Sequence, residues 1–260
     1  MPPPDSTPAR VFITGASSGI GEALARQYAR HGATLGLLAR RADPLERLAA
    51  SLAVRSYVYP VDVRDAAAMG RAARDFIERT GAPDIVIANA GVSTGNDSAE
   101  PADNAVFEEM LAINVTGMLF TFQPFIRVMR QRGSGTLAGI ASIAGFRGLP
   151  GASAYSASKA AAIAYLESLR VELRRSGVRV VTICPGYIAT AMTARNPYRM
   201  PFLMPADVAA RAMVRAIEHG KRWYVLPWEM AIVGALLRAL PRPLYDRLLA
   251  RAPRKPRRLA

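Results

Sequence analysis

Short apolar runs alternate with helical periodicity almost from the start of the chain. Arg10–Thr14 (RVFIT) reads as a strand, and Gly21–His31 carries Ala23, Leu24 and Ala29 among charges, a helix stopped at Gly32. Further strands are expected over Thr34–Ala39, Ser56–Val61, Asp84–Ala88, Thr136–Ser142, Val178–Cys184 and Tyr224–Pro227. Helices are expected between them, over Pro44–Leu52, Ala66–Thr80, Asn104–Arg132, Ser153–Ser176 and Pro205–Gly220. This alternation predicts an α/β fold, a parallel sheet joined by crossover helices. No repeat or linker divides the pattern, so residues 10–227 are expected to form one domain, after a disordered tail over 1–9. Beyond it, Glu229–Leu240 is apolar and helix-like, Pro241-Arg-Pro243 breaks the run, and Leu244–Ala252 places Leu244, Leu248 and Leu249 on one face. Residues 228–260 read as a basic amphipathic extension.

Composition narrows the function classes. One cysteine, Cys184, excludes an internal disulfide and fits a reducing compartment, so a cytoplasmic protein is expected, with no secretory signal in view. With His31 and His219 far apart and one thiol, no metal site is expected. The net charge is +14, but half of it lies in residues 238–260 and the rest is diffuse, with no basic cluster interleaved with aromatics. That distribution argues against a nucleic-acid surface.

The chain has 31 arginines and three lysines, and in residues 1–220 the one lysine is Lys159, four positions after Tyr155. A four-residue offset puts both on one helix face. An ammonium beside a phenol stabilises phenolate, so the pair is a candidate for proton transfer, a task for which a broad guanidinium fork is poorly shaped. A second signal lies at the first strand's end. Thr14-Gly-Ala-Ser-Ser-Gly-Ile-Gly21 has glycines at 15, 19 and 21, which permit a tight turn and bring backbone N–H groups close to a pyrophosphate at a helix N-terminus.

Thr14–Gly21, Asn89-Ala-Gly91, Ser142, Tyr155-x-x-x-Lys159 and Pro185-Gly186 follow the order and spacing of the short-chain dehydrogenase/reductase family, which the chain resembles over roughly 9–227. The resemblance implies a Rossmann-type doubly wound sheet of about seven parallel strands with helices on both faces, binding a nicotinamide dinucleotide. It implies a catalytic set of Asn114, Ser142, Tyr155 and Lys159. Tyr155 would be the acid or base, Ser142 would place the substrate oxygen, Lys159 would hold the ribose, and Asn114 would fix a water relaying protons to Lys159. Gly15, Ser17, Ser18, Gly19, Ile20 and Gly21 would cradle the phosphates, and Asn89, Ala90, Gly91, Pro185 and Gly186 would line the nucleotide cleft. Asp62 and Val63 would meet adenine; Ile188 and Thr190 would meet the nicotinamide. Ala88 departs from the family, which often has a second Asn there.

The end of the second strand bears on which nicotinamide is used. A carboxylate there would bond the adenosine ribose and repel a 2′-phosphate; this chain has Ala39, then Arg40 and Arg41, so NADP(H) is expected with Arg40 on the phosphate. On the substrate side, Ala191–Met204 holds three methionines and Phe202 and is expected to close over an apolar ketone, aldehyde or secondary alcohol, with Phe146, Leu149 and Pro150 as the facing wall. Two alternatives stand beside this. One is a reductase of 3-oxoacyl thioesters gripping a phosphopantetheine carrier through Arg127, Arg130 and Arg147. The other is a non-catalytic cofactor-sensing scaffold, which the intact tetrad disfavours. The resemblance also implies a homodimer or homotetramer through the helices at 104–132 and 153–176. The extension offers three readings: a peripheral membrane contact, a lid, or a subunit contact with a frayed basic tail.

Overall fold

The computed structural model describes residues 8–257, so most of the expected N-terminal tail lies outside the described residues. The chain runs β1 (Arg10–Thr14), α1 (Gly19–Arg30), β2 (Thr34–Ala39), α2 (Ala42–Ala50), β3 (Ser56–Pro60), α3 (Ala66–Thr80) and β4 (Ile85–Ala88). It continues with α4 (Asn104–Leu111), α5 (Gly117–Arg132), β5 (Gly135–Ile140), α6 (Ser153–Glu172) and β6 (Val178–Pro185). Two short strands, β7 (Ile188–Ala189) and β8 (Met204–Pro205), precede α7 (Ala206–Glu218), β9 (Trp223–Leu226), α8 (Trp228–Ala239) and α9 (Arg242–Leu249).

Seven strands form one parallel sheet in the order β3-β2-β1-β4-β5-β6-β9. Its strands are apolar at nearly every position because successive side chains enter different cores. Val11 and Ile13 pack with Leu24, Tyr28 and Leu45 under α1 and α2 and with Met213 and Ile217 of α7. Phe12, between them in sequence, points the other way into a cluster with Phe76, Phe122, Phe125 and Leu166 from α3, α5 and α6. Its ring centroid lies 4.9 Å from that of Phe125 and 5.3 Å from that of Phe76. From β1 the chain builds outward to β3, then crosses back to β4 on the other side of β1. At that reversal the loops after β1 and β4 diverge and leave a crevice at the strands' carboxyl ends.

Two regions differ from the sequence pattern. The expected helix over 104–132 is continuous but contains a wider π-type turn at Ala112–Thr116, centred on Asn114. By length and composition the run 101–132 could cross a membrane, yet its Phe122, Phe125 and Met129 are fully buried in the core. The loop 191–203 is mostly turns, tied at its ends by the β7–β8 pairing, which the pattern did not predict. In the extension, α8 and α9 form as expected, and Trp228, Ile232, Leu236, Leu244 and Leu248 stand exposed.

Candidate active site

A cleft of about 600 Å³ opens at the carboxyl ends of β1, β2, β4, β5 and β6. One end is made by Gly15, Ser17, Ser18, Gly19 and Ile20, the middle by Asn89, Ala90 and Gly91, and the far end by Ser142, Tyr155 and Lys159. Val63, Pro185, Gly186, Ile188 and Thr190 complete its walls. The structure thus gathers every expected catalytic and cofactor-binding residue except Gly21 and Asn114 onto one surface, and those two stand directly behind it.

Gly21 turns inward beneath the phosphate loop. A Cβ there would collide with the Gly15 carbonyl oxygen and lie 2.5 Å from Asn89 Nδ2. That amide donates to the carbonyls of Thr14 (3.1 Å) and Gly15 (3.2 Å), and the Asn89 N–H donates to Thr14 Oγ1, so the turn after β4 braces the turn after β1. Gly15 and Gly19 have φ of +68° and +58°. Ser18, at the N-cap of α1, makes no side-chain cap, which leaves the first-turn amides to an anion at this end of the cleft. The donor-rich, closely approachable loop fits a pyrophosphate.

Lys159 is 5% exposed, and its ammonium donates to the Ile140 carbonyl (2.9 Å) while lying 5.9 Å from the Tyr155 ring centroid. Burial pulls the Lys159 pKa down to about 8. Burial also pushes the Tyr155 phenol above its ordinary value, against the opposing effect of a hydrogen bond with Ser142. This corrects the sequence argument for a phenol made more acidic by Lys159. Lys159 is buried and Tyr155 half-buried, and the cost of desolvating a phenolate sets the direction of the Tyr155 shift. The phenol keeps its proton near neutral pH.

Asn114 is also more committed than expected. In the π-type turn its Oδ1 accepts from the Val92 N–H (2.9 Å), and its Nδ2 donates to the Val92 carbonyl (3.0 Å) and to Ser158 Oγ (2.9 Å). Its side chain therefore fixes the segment following Gly91. It still stands beside the lysine: a Cβ on Gly91 would lie 3.1 Å from Asn114 Oδ1 and 3.5 Å from Lys159 Nζ.

At the adenosine end, Ala39, Arg40, Arg41 and Asp62 line the cleft, with Arg40 and Arg41 exposed. Arg64 forks the Asp62 carboxylate (2.7 Å at the closest) and holds its pKa below the usual range. A carboxylate has acceptor positions to spare, so an adenine amine remains compatible.

Three substrate-side expectations change. Phe146 faces away from the cleft, stacked on Trp223 at 5.5 Å and packed against Gly234 of α8, and Leu149 and Pro150 do not line the cleft. Arg147 is engaged elsewhere: its guanidinium lies 4.2 Å from the Tyr245 ring centroid and donates to the carbonyls of Arg238 and Leu240. The basic tail is not frayed over its described part. Residues 254–257 pair with Ser93–Gly95 and bring Lys255 Nζ within 5.6 Å of the Tyr155 ring centroid.

These features define a nucleotide-binding α/β protein with a tyrosine–lysine pair at the end of its cleft. The family model described as short chain dehydrogenase matches residues 9–200, and the chain belongs to that family. An uncharacterized oxidoreductase of Myxococcus xanthus is 39% identical over 238 residues, covering 90% of this chain and 94% of the relative. Among solved structures, a short chain dehydrogenase from Burkholderia cenocepacia in complex with NADP superposes with a TM-score of 0.81 at 26% identity, over 93% of this chain and 98% of that one. An alcohol dehydrogenase from Thermococcus sibiricus complexed with 5-hydroxy-NADP gives 0.75 at 29% identity, over 85% and 95%. The protein is an oxidoreductase of the short-chain dehydrogenase family with a Rossmann-type fold.

Proposed function

We propose that this protein is an NADP(H)-dependent carbonyl reductase or alcohol dehydrogenase acting on apolar ketones, aldehydes or secondary alcohols. The observation that carries the reading is the joining, in one cleft, of Ser142, Tyr155 and Lys159 to the phosphate loop and to an Ala39–Arg40 corner without a carboxylate at 39. NADP fits the residues present: the Gly15–Gly21 turn takes the pyrophosphate, Arg40 the 2′-phosphate, Lys159 the nicotinamide ribose, and Thr190 the carboxamide. When bound, the cofactor supplies or accepts the hydride. Ser142 holds the substrate oxygen, and Tyr155 gives that oxygen its proton in reduction and removes it in oxidation. A phenol that keeps its proton suits the reductive direction. Met192 lines the cleft, and Phe202 and Leu203 of the same loop are exposed, which favours an apolar substrate. Purified protein assayed with NADPH and with NADH against apolar ketones and aldehydes tests this. Turnover with NADH alone, or none with either, rejects it.

The exposed face of α8 and α9 is read as a peripheral contact with anionic lipid. Its apolar side chains are flanked by exposed Arg238, Arg242, Arg247 and Arg251 against Asp246 alone, and two copies meeting there would oppose like charges. Replacing Trp228, Leu236 and Leu248 by Ser should abolish co-sedimentation with phosphatidylserine vesicles. Unchanged partitioning discards the contact.

A further inference from the structure

The chain has only three lysines, and two of them flank Tyr155. Lys159 Nζ lies 5.9 Å from the phenol ring centroid, and Lys255 Nζ, delivered by the C-terminal strap, lies 5.6 Å from it. The strap is seated by contacts that do not involve the lysine side chain. The Gly95 N–H donates to the Pro256 carbonyl (2.9 Å), and Arg257 Nε donates to Asp103 Oδ2 (2.8 Å), a carboxylate only 6% exposed. Any side chain at Gly95 would strike the Lys255 carbonyl, and a Cβ at Gly151 would lie 2.8 Å from Arg254 Cβ, so two glycines make the room the strap occupies.

Two cations of the strap, Arg254 and Lys255, have no carboxylate among the described residues; Arg254 is exposed to solvent, whereas Lys255 is half-buried. Its ammonium donates to Ser93 Oγ (2.6 Å), a neutral hydroxyl, and among the described residues it forms no ion pair. Arg257 on the same segment has its carboxylate. A partly buried ammonium without a counter-charge is costly, and burial pulls this one's pKa down to about 8, so it stays mostly charged at neutral pH. The position beside the phenol gives that cost a use, since a molecule whose carbonyl meets Tyr155 can carry the missing anion.

We propose that Lys255 completes the substrate site from the far end of the chain and anchors a carboxylate on an otherwise apolar substrate, an oxo acid or the corresponding hydroxy acid. This rests on Tyr155 marking the reacting end of the cleft, and it makes Lys255 a specificity-determining residue.

The test uses full-length protein loaded with NADPH, titrated calorimetrically with straight-chain fatty acids and with their methyl esters. A parallel series of oxo acids and their methyl esters is assayed for turnover. The acids should bind about ten- to hundredfold more tightly than the esters, as a charge-assisted hydrogen bond away from bulk water provides, and the preference in turnover should be carried by KM. Lys255→Met should erase both preferences and Lys255→Arg should restore part of them, with NADPH affinity reporting that each variant is folded. Equal binding of acid and ester by the wild type, or an acid preference that survives Lys255→Met, overturns the proposal. So does a rise in turnover on acids and esters alike in Lys255→Met, which would make the strap a plug. Turnover persisting in Tyr155→Phe would sink the proton-transfer reading instead, while the calorimetric preference would still judge Lys255.

Discussion

At the nucleotide end of the cleft, each contributor sits within a few residues of a strand end: Gly15–Gly21 after β1, Ala39–Arg40 after β2, Asn89–Gly91 after β4. At the substrate end, Ser93 meets Lys255 across 162 positions, and Arg147 meets Tyr245 across two segments of no shared motif. The first region is assembled by the sheet itself, since parallel strands bring their carboxyl ends together whatever lies between them. The second depends on packing among a loop, two helices and a strap. The two ends should therefore respond differently to substitution.

The largest effect is expected where the two regions meet. Tyr155→Phe removes the proton donor while leaving its ring in place, and kcat should fall by about 10²–10⁴-fold, with NADPH affinity measured by fluorescence titration as the control for folding. A well-folded variant that keeps its rate would break the assignment of the reacting end. Next comes the nucleotide end alone. Gly21→Ala forces a methyl against the Gly15 carbonyl and Asn89, an overpacking of about 1–3 kcal/mol, so NADPH affinity should fall about ten- to hundredfold. Ala39→Asp with Arg40→Leu should have a comparable but opposite-handed effect on the two cofactors. It restores repulsion toward the 2′-phosphate and removes its guanidinium, and the ratio of kcat/KM values for NADPH and NADH should move about tenfold or more toward NADH.

What could be read from the sequence follows the same division. The strands of the sheet stand within two residues of where the apolar runs place them, because a parallel strand buried on both faces, such as β1 or β4, leaves little room for polar residues. The phosphate loop and Tyr155–Lys159 were legible because their chemistry needs particular residues at short, fixed spacing. The electrostatics of that pair were not. Spacing reports that two side chains share a helix face, but only burial decides whether desolvation or the neighbouring charge sets a pKa, and here desolvation raises Tyr155 and lowers Lys159. Adjacency to Ser142 puts Phe146 on the substrate wall, yet α8 offers it Gly234 and β9 offers it Trp223, partners from more than 70 positions away. One sequence signal for the strap did exist: in a chain of 31 arginines, Lys255 is as exceptional as Lys159. A terminal basic cluster has the same composition as a solvated tail, which masks that signal.

The smallest expected effect bears most directly on whether the substrate end is built for function or for stability. Lys255 has its pKa pulled from 10.5 to about 8 in the folded chain, so between those values the unfolded chain holds the extra proton and stability rises with pH. Below pH 8 the penalty of the buried ammonium is present in full; above pH 10.5 it is gone. Lys159, lowered to about 8 as well, contributes over the same window. Lys255→Met should therefore stabilise the ligand-free protein at pH 7 by about 1 kcal/mol after allowing for the lysine's partial exposure, or about 2–4 °C in Tm, and should flatten part of the rise above pH 8. Thermal melts across that pH range measure both. A lysine that holds the strap in place would show the reverse, a lower Tm at pH 7 on removal, because losing the hydrogen bond to Ser93 would cost more than the charge penalty recovered. A higher Tm together with lost carboxylate recognition would mean that the strap, tied down by Arg257 and the Gly95 backbone, carries Lys255 at a cost in stability that the substrate alone offsets.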